Sequence, residues 1–535
     1  MHVGGDPLVV LPPEIVLRIL DFTTLSTLAS LTRLTKAWHT FIDTTHQEAI
    51  YSTSDKATRP PGCNGLREVI AAADTFSRYE RTSSWKELCK RQTLLARNWT
   101  RSRPHTTESV FQIGHALVWR FRADLKRRFF LSTSHTGGLT VTCMDTGYVL
   151  WRLPPTDGGH GGGVRPFAHL EYEDGMAVFD RAGDALEVWQ TDVDGLPRGE
   201  FTRTAILPHD CGILGFHLSQ STLCVVSTDG LGFIYNMSIR RPQLIRCLSI
   251  EEGAVGHLYQ DSDVVMFSMG TRGYHFHDKS TGELLGILKP APDLARHHIK
   301  HPPYTNPHNP AARTHGPSAQ LSPPAMPQEN RFVPITVSPG PLPRRQSMLR
   351  AEAEDEWGAG ALCGNIMVGI SRAGRVFVCS DWRQVLQGNY KDAALIECET
   401  TLSDFDLGGW LAVKDHRIMF EVQKRIYIVA LDDDDWLPTQ KLSASDSTVR
   451  PGRPSYSLLA GSAPQLATPV SFMALYDDCI MSTFTTLALE ESPHGDEEAR
   501  HGHRSSLFAT KMIRVVSLAP EPDTVPTPLG QSTEE

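Results

Sequence analysis

The hydrophobic pattern changes near residue 109, and this change constrains the fold more than any other feature of the sequence. From there on, short runs rich in Val, Ile, Phe, Tyr and Trp alternate with turns rich in Gly, Asp and Asn, as in GLTVTCMDTGYVLWRL from Gly138. Such units recur about every forty residues, the period of a four-stranded propeller blade. About seven can be counted. The sequence therefore predicts a large all-β region, most simply a β-propeller of about seven blades, with a sandwich or mixed β-domain as the alternative.

The end of this region suggests how the ring would close. We expect the strand MIRVVSL near Met512 to pair with the first blade, since closure removes an exposed edge. No Trp-Asp dipeptide occurs in the chain. The blades are therefore degenerate, and they resemble WD repeats in rhythm only.

Size and composition limit the classes of function. The 535 residues exceed one ordinary core, since domains average roughly 100–200 residues. A net charge of −9 argues against general nucleic-acid binding. The ten cysteines include no Cys-x-x-Cys pair, and neither a signal peptide nor a run of 18 apolar residues is found. We expect a cytoplasmic or nuclear protein, or one found in both places, without a nucleic-acid or membrane partner.

The N-terminal segment has a helical pattern instead. It reads LPPEIVLRILDFTTLSTLASLTRLTKAWHTFID from Leu11. The Pro12-Pro13 pair suits a first helical turn, and Ser26 or Thr27 can cap a second helix. A third helix would carry Trp38, Phe41 and Ile42 on one stripe. Three short helices cannot bury all these apolar groups internally, and surplus apolar surface usually marks a partner interface.

The same residues resemble the F-box. The resemblance covers Leu8 to Asp43 and departs where the family often has a charged residue before the Leu of its second helix, since this chain has Ser26-Thr27 there. It implies binding to a Skp-type adaptor and, through it, to a cullin. The alternative is an unrelated three-helix bundle whose leucines are plain core. The residues that fall on family positions, and would bind the adaptor, are Leu11, Pro12, Glu14, Ile15, Ile19, Leu20, Leu28, Leu31, Leu34 and Trp38.

A second helical segment supports this identification. The motif W-x-x-L-C at Trp85 resembles the linker helices between the F-box and the propeller in F-box proteins with WD repeats. These helices would either set a rigid distance between two domains or pad the F-box core. The predicted fold class is thus α+β and multidomain. The predicted boundaries are 7–51 for the F-box, 65–103 for linker helices, 109–289 and 357–519 for the two parts of the β-region, 290–356 for a disordered insertion and 520–535 for a disordered tail.

Other residues carry weaker signals. The insertion contains five histidines, read as composition bias of a solvated loop, and a possible phosphosite at Ser347 after two arginines. The pair His275 and His277 shares one strand face without a third metal ligand, which favours packing. The run Asp432–Asp435 favours a solvated turn over a calcium loop. The basic cluster would recognise an acidic or phosphorylated segment, or simply form an exposed strand and turn; it comprises Arg120, Arg122, Lys126, Arg127 and Arg128.

No nucleotide, zinc-protease or serine-hydrolase motif is found. The sequence therefore predicts no enzyme, catalytic residue, metal or cofactor. The expected function is substrate recognition in an SCF-type ubiquitin ligase, with the β-region binding an unknown protein substrate. The alternative is a scaffold that binds the adaptor without promoting ubiquitination.

Overall fold

The chain forms two compact units. One comprises Met1–Thr107, Tyr476–Cys479 and Val516–Glu535, and the other comprises Glu108–Leu475 and Ile480–Val515. The structure is a computed structural model that describes residues 6–60, 62–77, 82–113, 117–156, 163–181, 185–193, 195–239, 241–251, 253–254, 256–291, 293–300, 332–342, 355–398, 410–437, 453–462, 466, 468–490 and 506–520.

Short helices make up most of the first unit. Seven of the eight described helices belong to it, and a π-helical turn, Thr40–Thr45, continues α4. The helices are α1 Pro7–Val10, α2 Pro13–Asp21, α3 Leu25–Leu31, α4 Lys36–His39, α5 Gln47–Tyr51, α6 Leu66–Ala72, α7 Trp85–Trp99 and, in the second unit, α8 Trp382–Leu386.

The helix starts follow local chemistry. Helix α2 begins with Pro13 as its first residue, as predicted, because that position needs no N–H donor. The predicted cap of α3 was wrong. Thr24, and not Ser26 or Thr27, is the N-cap residue, and its hydroxyl accepts a hydrogen bond of 3.2 Å from the Thr27 amide. Thr24 has the extended backbone that a cap requires, whereas the two later residues already lie in the helix.

The predicted linker helix α7 packs into the same core as the F-box-like segment. Trp85, Leu88 and Cys89 join Leu28 and Ile42 in one buried cluster. The Cys89 thiol lies 3.4 Å from the Tyr51 carbonyl, and burial raises the pKa of this thiol to about 11. Of the two roles considered for the linker helices, core packing is therefore the one seen for α7.

Distant segments complete the helical unit. The Asp478 carboxylate accepts hydrogen bonds from the amides of Phe76 and Ser77 at 2.7 and 2.8 Å. The Asn98 side chain donates to the Leu518 carbonyl at 2.8 Å. The predicted boundaries missed this, because pairings across about 400 residues leave no local pattern in the sequence.

The second unit is built from short antiparallel strands. The first sixteen strands are β1 Thr107–Phe111, β2 Val118–Asp124, β3 Phe129–Ser134, β4 Leu139–Cys143, β5 Val149–Leu153, β6 Leu170–Glu173, β7 Met176–Asp180, β8 Ala185–Gln190, β9 Thr202–Pro208, β10 Ile213–Ser219, β11 Thr222–Ser227, β12 Leu231–Asn236, β13 Gln243–Ser249, β14 Leu258–Gln260, β15 Val264–Ser268 and β16 Tyr274–Asp278. The others are β17 Leu284–Leu288, β18 Ala295–Lys300, β19 Val333–Pro339, β20 Trp357–Cys363, β21 Ile366–Ser371, β22 Arg375–Cys379, β23 Ala393–Glu397, β24 Leu411–Lys414, β25 Arg417–Val422, β26 Arg425–Ala430, β27 Ser455–Leu459, β28 Met473–Leu475, β29 Cys479–Glu490 and β30 Ser506–Ser517.

These strands form seven four-stranded groups within the described part of the chain. Four groups are consecutive meanders, β2–β5, β6–β9, β10–β13 and β14–β17. Two more, β20–β23 and β24–β27, lie in one ten-stranded sheet. The first strands of successive groups contact one another from β2 to β28, as the inner strands of a propeller do. A helical segment followed by a propeller of seven degenerate blades is therefore confirmed.

The seventh group joins the two ends of the β-region. Its order is β1-β30-β29-β28, so the predicted terminal strand β30 pairs with β1. The pairing differs from the expectation in one respect, since β1 precedes the first complete blade instead of belonging to it. Arg514 of β30 forms an ion pair with Glu108 of β1 at 3.3 Å, and both side chains are largely buried.

Two strands lie where a disordered insertion was predicted, and this expectation was wrong for them. Strand β18 pairs in parallel with β23, and β19 pairs antiparallel with β27, so the hairpin bridges the outer edges of two blades. His297 and His298 are buried in β18, in contrast to the expected solvated loop. The pairing partners lie far away in sequence, so local composition could not reveal them. The remaining three histidines of the tract, Ser347 and the predicted tail beyond residue 520 lie outside the described residues.

Candidate functional site

The predicted adaptor-binding residues divide by exposure. Ile15 and Ile19 are about half exposed, at 50% and 49%, and Leu34 is 66% exposed. Pro12 and Glu14 are also exposed, whereas Leu11 and Leu31 are intermediate. The other three predicted residues lie in the core of the helical unit; they are Leu20, Leu28 and Trp38. The side chains of these three residues pack in the core and are not available to contact an adaptor.

Helix α2 carries two apolar stripes. Val16 and Leu20, at i and i+4, point into the core. Ile15, Ile19 and Phe22, at i, i+4 and i+7, form a second stripe that stays open, with Phe22 79% exposed. A helix that served only its own core would need just the first stripe. Sequence reasoning missed Phe22, although its spacing from Ile15 was visible.

Helix α1 adds further apolar exposure in the same unit. Val9 is 83% exposed and Val10 is 64% exposed. Few charges accompany the α2 stripe: Arg18 pairs with Asp21 at 3.5 Å and lies over the Phe22 ring at 5.3 Å from its centroid. The aliphatic and aromatic surfaces on α1 and α2 together suit an apolar partner better than a charged ligand.

Polar and aromatic side chains on or next to the inner strands of the propeller contact one another. We call this set the polar ring; its members include Arg120, Arg122, His169, Glu171 and Trp410. Arg122 of β2 donates to Glu171 of β6 at 2.5 Å, and the His169 ring nitrogen Nε2 lies 2.8 Å from the same carboxylate. Burial and the Arg120 charge lower the pKa of His169 to about 3, so the imidazole is neutral and donates to Glu171. Burial alone would raise the pKa of Glu171, but Arg122 and His169 hold it well below its usual value.

Arg120 is the cation of this ring that has no ion-pair carboxylate among the described residues, and its Nη1 lies 3.3 Å from Nε2 of His169. Its guanidinium stacks 4.3 Å from the centroid of Trp410, and its buried Nε has no hydrogen-bond partner among the described residues. Burial and the neighbouring Arg122 lower its pKa to about 9, so it remains charged near neutral pH. Burial and the same Arg120 charge also lower the pKa of His257 to about 4.

Most of the predicted basic cluster lies within ion-pair distance of carboxylates. Lys126 lies 4.0 Å from Asp174, and Arg127 and Arg128 pair with Asp124 and Asp145, each at 2.9 Å. Arg122 is also paired, so Arg120 is the member of the five that has no such carboxylate in the described part of the chain.

The other ring members were missed by sequence reasoning, although a signal existed. Phe472 belongs with them, because the Arg122 guanidinium lies 4.0 Å from the centroid of its ring. His169, Trp410 and Phe472 each lie five residues before an aspartate that follows an inner strand within two residues. Alignment of the repeats on that aspartate would have placed the three aromatic residues at equivalent positions.

The remaining predicted sites behave as structural features. His275 and His277 are buried on β16, and burial lowers the pKa of both, in agreement with packing. The acidic run forms a turn in which the Asp432 carboxylate accepts from the Trp436 amide at 2.8 Å, as a solvated turn would. No group of three or more potential metal ligands lies among the residues that the structure describes. In the same part of the chain, no helix has the length and apolar character needed to cross a membrane.

Comparison with known proteins adds limited information. No family model matches the sequence, and no curated protein matches it. Similar solved structures include the computationally designed Ika8 protein, with TM-score 0.40, 13% identity, and coverage of 70% of this chain and 95% of that one. The C-terminal WD40 domain of Sif2 has TM-score 0.35 and 12% identity, with coverage of 66% and 72%. A chain of the Mitotic Checkpoint Complex has TM-score 0.35 and 8% identity, with coverage of 61% and 78%. At these values, the assignment of a propeller rests on the strand order described above.

Proposed function

We propose that the chain is the substrate-recruiting subunit of an SCF-type ubiquitin ligase. The helical unit would dock a Skp-type adaptor, and the β-unit would bind a protein substrate. The open apolar stripe of α2, formed by Ile15, Ile19 and Phe22, carries this proposal. It lies within the segment whose sequence resembles the F-box.

The energetics favour a macromolecular partner for this stripe. Full burial of a large aliphatic or aromatic side chain contributes about 1.5–3 kcal/mol, so covering a half-exposed one contributes about half as much. Several such side chains on α1 and α2 together would support a stable complex. The backbone donors of a helix interior are already used within the helix, so a partner would recognise side chains alone.

The β-unit is the proposed substrate receptor. A closed ring of blades offers a rigid scaffold whose loops and inner strands can hold a peptide. Arg120, which stacks on Trp410 and whose Nε has no hydrogen-bond partner among the described residues, is suited to an acidic residue of the substrate. The role of the chain would then be proximity, because it raises the effective concentration of a substrate lysine near the charged enzyme without bond chemistry of its own.

The test is an affinity purification from cells with paired variants. Ile15→Asp combined with Ile19→Asp should abolish recovery of adaptor and cullin and retain partners of the β-unit. The matched control is Leu284→Asp combined with Ile287→Asp, since these side chains are exposed to a similar extent, 49% and 47%, on strand β17. This control should recover adaptor and cullin at the wild-type level.

Three outcomes would count against the proposal. Equal recovery of adaptor by both variants would remove the docking surface named here. Loss of adaptor with the β17 control as well would indicate general destabilisation. Adaptor recovered without any cullin would favour the scaffold alternative.

A further inference from the structure

A cleft of about 380 Å³ opens between the first two blades of the propeller. This volume lies within the range of about 300–1,000 Å³ that small-ligand sites occupy. Strands β5, β8 and β9 supply most of its lining. The lining residues are Leu153, Gly163, Val164, Glu187, Trp189, Phe201, Thr202 and Arg203.

The apolar part of the cleft is aromatic. Phe201 is almost fully buried, and the Trp189 ring is only half-buried. Trp151 packs against both of them, with ring centroids 5.5 Å from Trp189 and 5.6 Å from Phe201. Leu153 adds an aliphatic group to the lining. These side chains are held by neighbouring strands, so the apolar surface exists before any ligand arrives.

Among the described residues, the polar part of the cleft has more cations than carboxylates. Glu187 is buried, and its carboxylate receives Arg203 at 3.2 Å, Arg181 at 3.5 Å and the Trp189 indole N–H at 2.8 Å. Two guanidinium groups thus share one carboxylate. Arg203 is 43% exposed and bonds Glu187 through a single nitrogen, so its other N–H groups face the cleft or solvent.

A β-bulge places Arg203 at this position. Val188 pairs with Ala205 and Trp189 pairs with Arg203, which leaves Thr204 without a partner residue in the ladder. In a regular ladder Thr204 would lie opposite Trp189. Bulges often re-aim a side chain beside a binding site, and here the bulge brings a guanidinium next to an indole ring.

We propose that this cleft binds an apolar or aromatic group that carries a carboxylate. The ring or aliphatic body would pack against the accessible surfaces of Trp189 and Leu153, and the carboxylate would pair with Arg203. A cationic group fits less well, because Glu187 already has three donors. The proposal goes beyond the receptor function above and does not depend on adaptor binding, so the two can fail separately.

The test uses the purified full-length chain without adaptor and three small probes. N-acetyl-L-phenylalanine has both the ring and the carboxylate, its amide lacks the charge, and N-acetylglycine lacks the ring. Saturation-transfer NMR and quenching of tryptophan fluorescence should show that the first probe binds with an affinity at least about tenfold higher than that of either of the others. Equal binding of the acid and the amide would overturn the proposal.

Variants locate the site. Arg203→Met should weaken binding of N-acetyl-L-phenylalanine about tenfold and leave the weak binding of the amide unchanged. The matched control is Arg152→Met, because Arg152 is an exposed arginine of β5 that does not line the cleft. Unchanged binding by Arg203→Met, or equal loss in the two variants, would exclude this cleft. Both variants replace exposed side chains and should fold normally.

A last arm distinguishes the source of the ligand. A short peptide that ends in phenylalanine should bind more tightly than N-acetyl-L-phenylalanine if the cleft receives the C-terminus of a protein. Equal affinity of peptide and small probe indicates a free metabolite of the same chemistry.

Discussion

Two surfaces of this protein expose large apolar side chains, and they differ in whether a structural feature hinders pairing with a strand of another chain. On α2, the stripe from Ile15 to Phe22 has no protective feature. On the propeller, the outer strands of the first four blades also expose aliphatic side chains, such as Leu244 and Ile287. Each of these four strands contains a β-bulge; the unpaired residues are Leu150, Thr204, Ile245 and Leu285.

The bulges indicate that the propeller edges are protected against pairing. A bulge disturbs the row of free N–H and C=O groups that another strand would need. The outer strands β23 and β27 have no bulge in their pairing with β22 and β26, and these are the two edges that the hairpin β18–β19 covers. An edge in this group of six blades is thus either bulged or covered. The apolar stripe of α2 needs neither kind of protection against strand pairing, because the backbone groups of a helix interior are hydrogen-bonded within the helix.

The largest effect is expected at the polar ring of the β-unit. Arg122→Leu would leave Glu171 buried without its cation and should lower the free energy of unfolding by about 3–5 kcal/mol. Urea denaturation measures this change. Arg122→Lys should lower the free energy of unfolding by a smaller amount. The double variant Arg122→Leu, Glu171→Leu should be nearly as stable as the wild type. A single-variant loss below about 1 kcal/mol would mean that water already solvates Glu171.

Within the helical unit, a buried leucine and an exposed leucine should respond differently to the same change. Leu28 is fully buried, so Leu28→Ala should reduce stability by about 2–5 kcal/mol. Leu34 is exposed, and Leu34→Ala should change the free energy of unfolding by less than about 0.5 kcal/mol. Thermal unfolding of both variants is the measurement. Similar losses in the two variants would show that Leu34 is covered in solution.

The polar ring should also make the β-unit sensitive to acid. The pKa of Glu171 is lower in the folded chain than in the unfolded chain. Its contribution is therefore fully present above the unfolded pKa, about 4.5, and is lost as the pH falls below it. The free energy of unfolding should decline more steeply from about pH 5 to about pH 3 in the wild type than in Glu171→Gln. Parallel pH profiles would contradict this assignment.

The smallest effects on stability are expected for substitutions on the two exposed surfaces, and these substitutions should differ in their effect on adaptor binding. Ile15→Thr and Ile287→Thr should each change the free energy of unfolding by about 0.5 kcal/mol or less. Only Ile15→Thr should weaken recovery of the adaptor, because only the α2 surface is proposed to bind it. Equal adaptor recovery by the two threonine variants would remove the functional difference between the surfaces.

Several features followed from the sequence. The repeat period near forty residues predicted the blades, and the helical spacing of the N-terminal apolar residues predicted short helices. Both signals are local, because a strand or helix that buries one face repeats its apolar positions every two or about 3.6 residues. Which apolar residues stayed exposed could not be read in this way. Ile15 and Leu20 have the same chemistry in the sequence, yet one is half exposed and the other is buried.

The sequence by itself determined the kinds of elements, their order and the surplus of apolar side chains near the N-terminus. Tertiary structure decided the closure of β1 with β30, the hairpin across two blade edges, the stacking of Arg120 on Trp410 and the cleft beside Arg203. These depend on contacts between residues far apart in the chain. Burial, pairing and charge balance at such contacts are properties of the assembled fold, and no short window of sequence contains them.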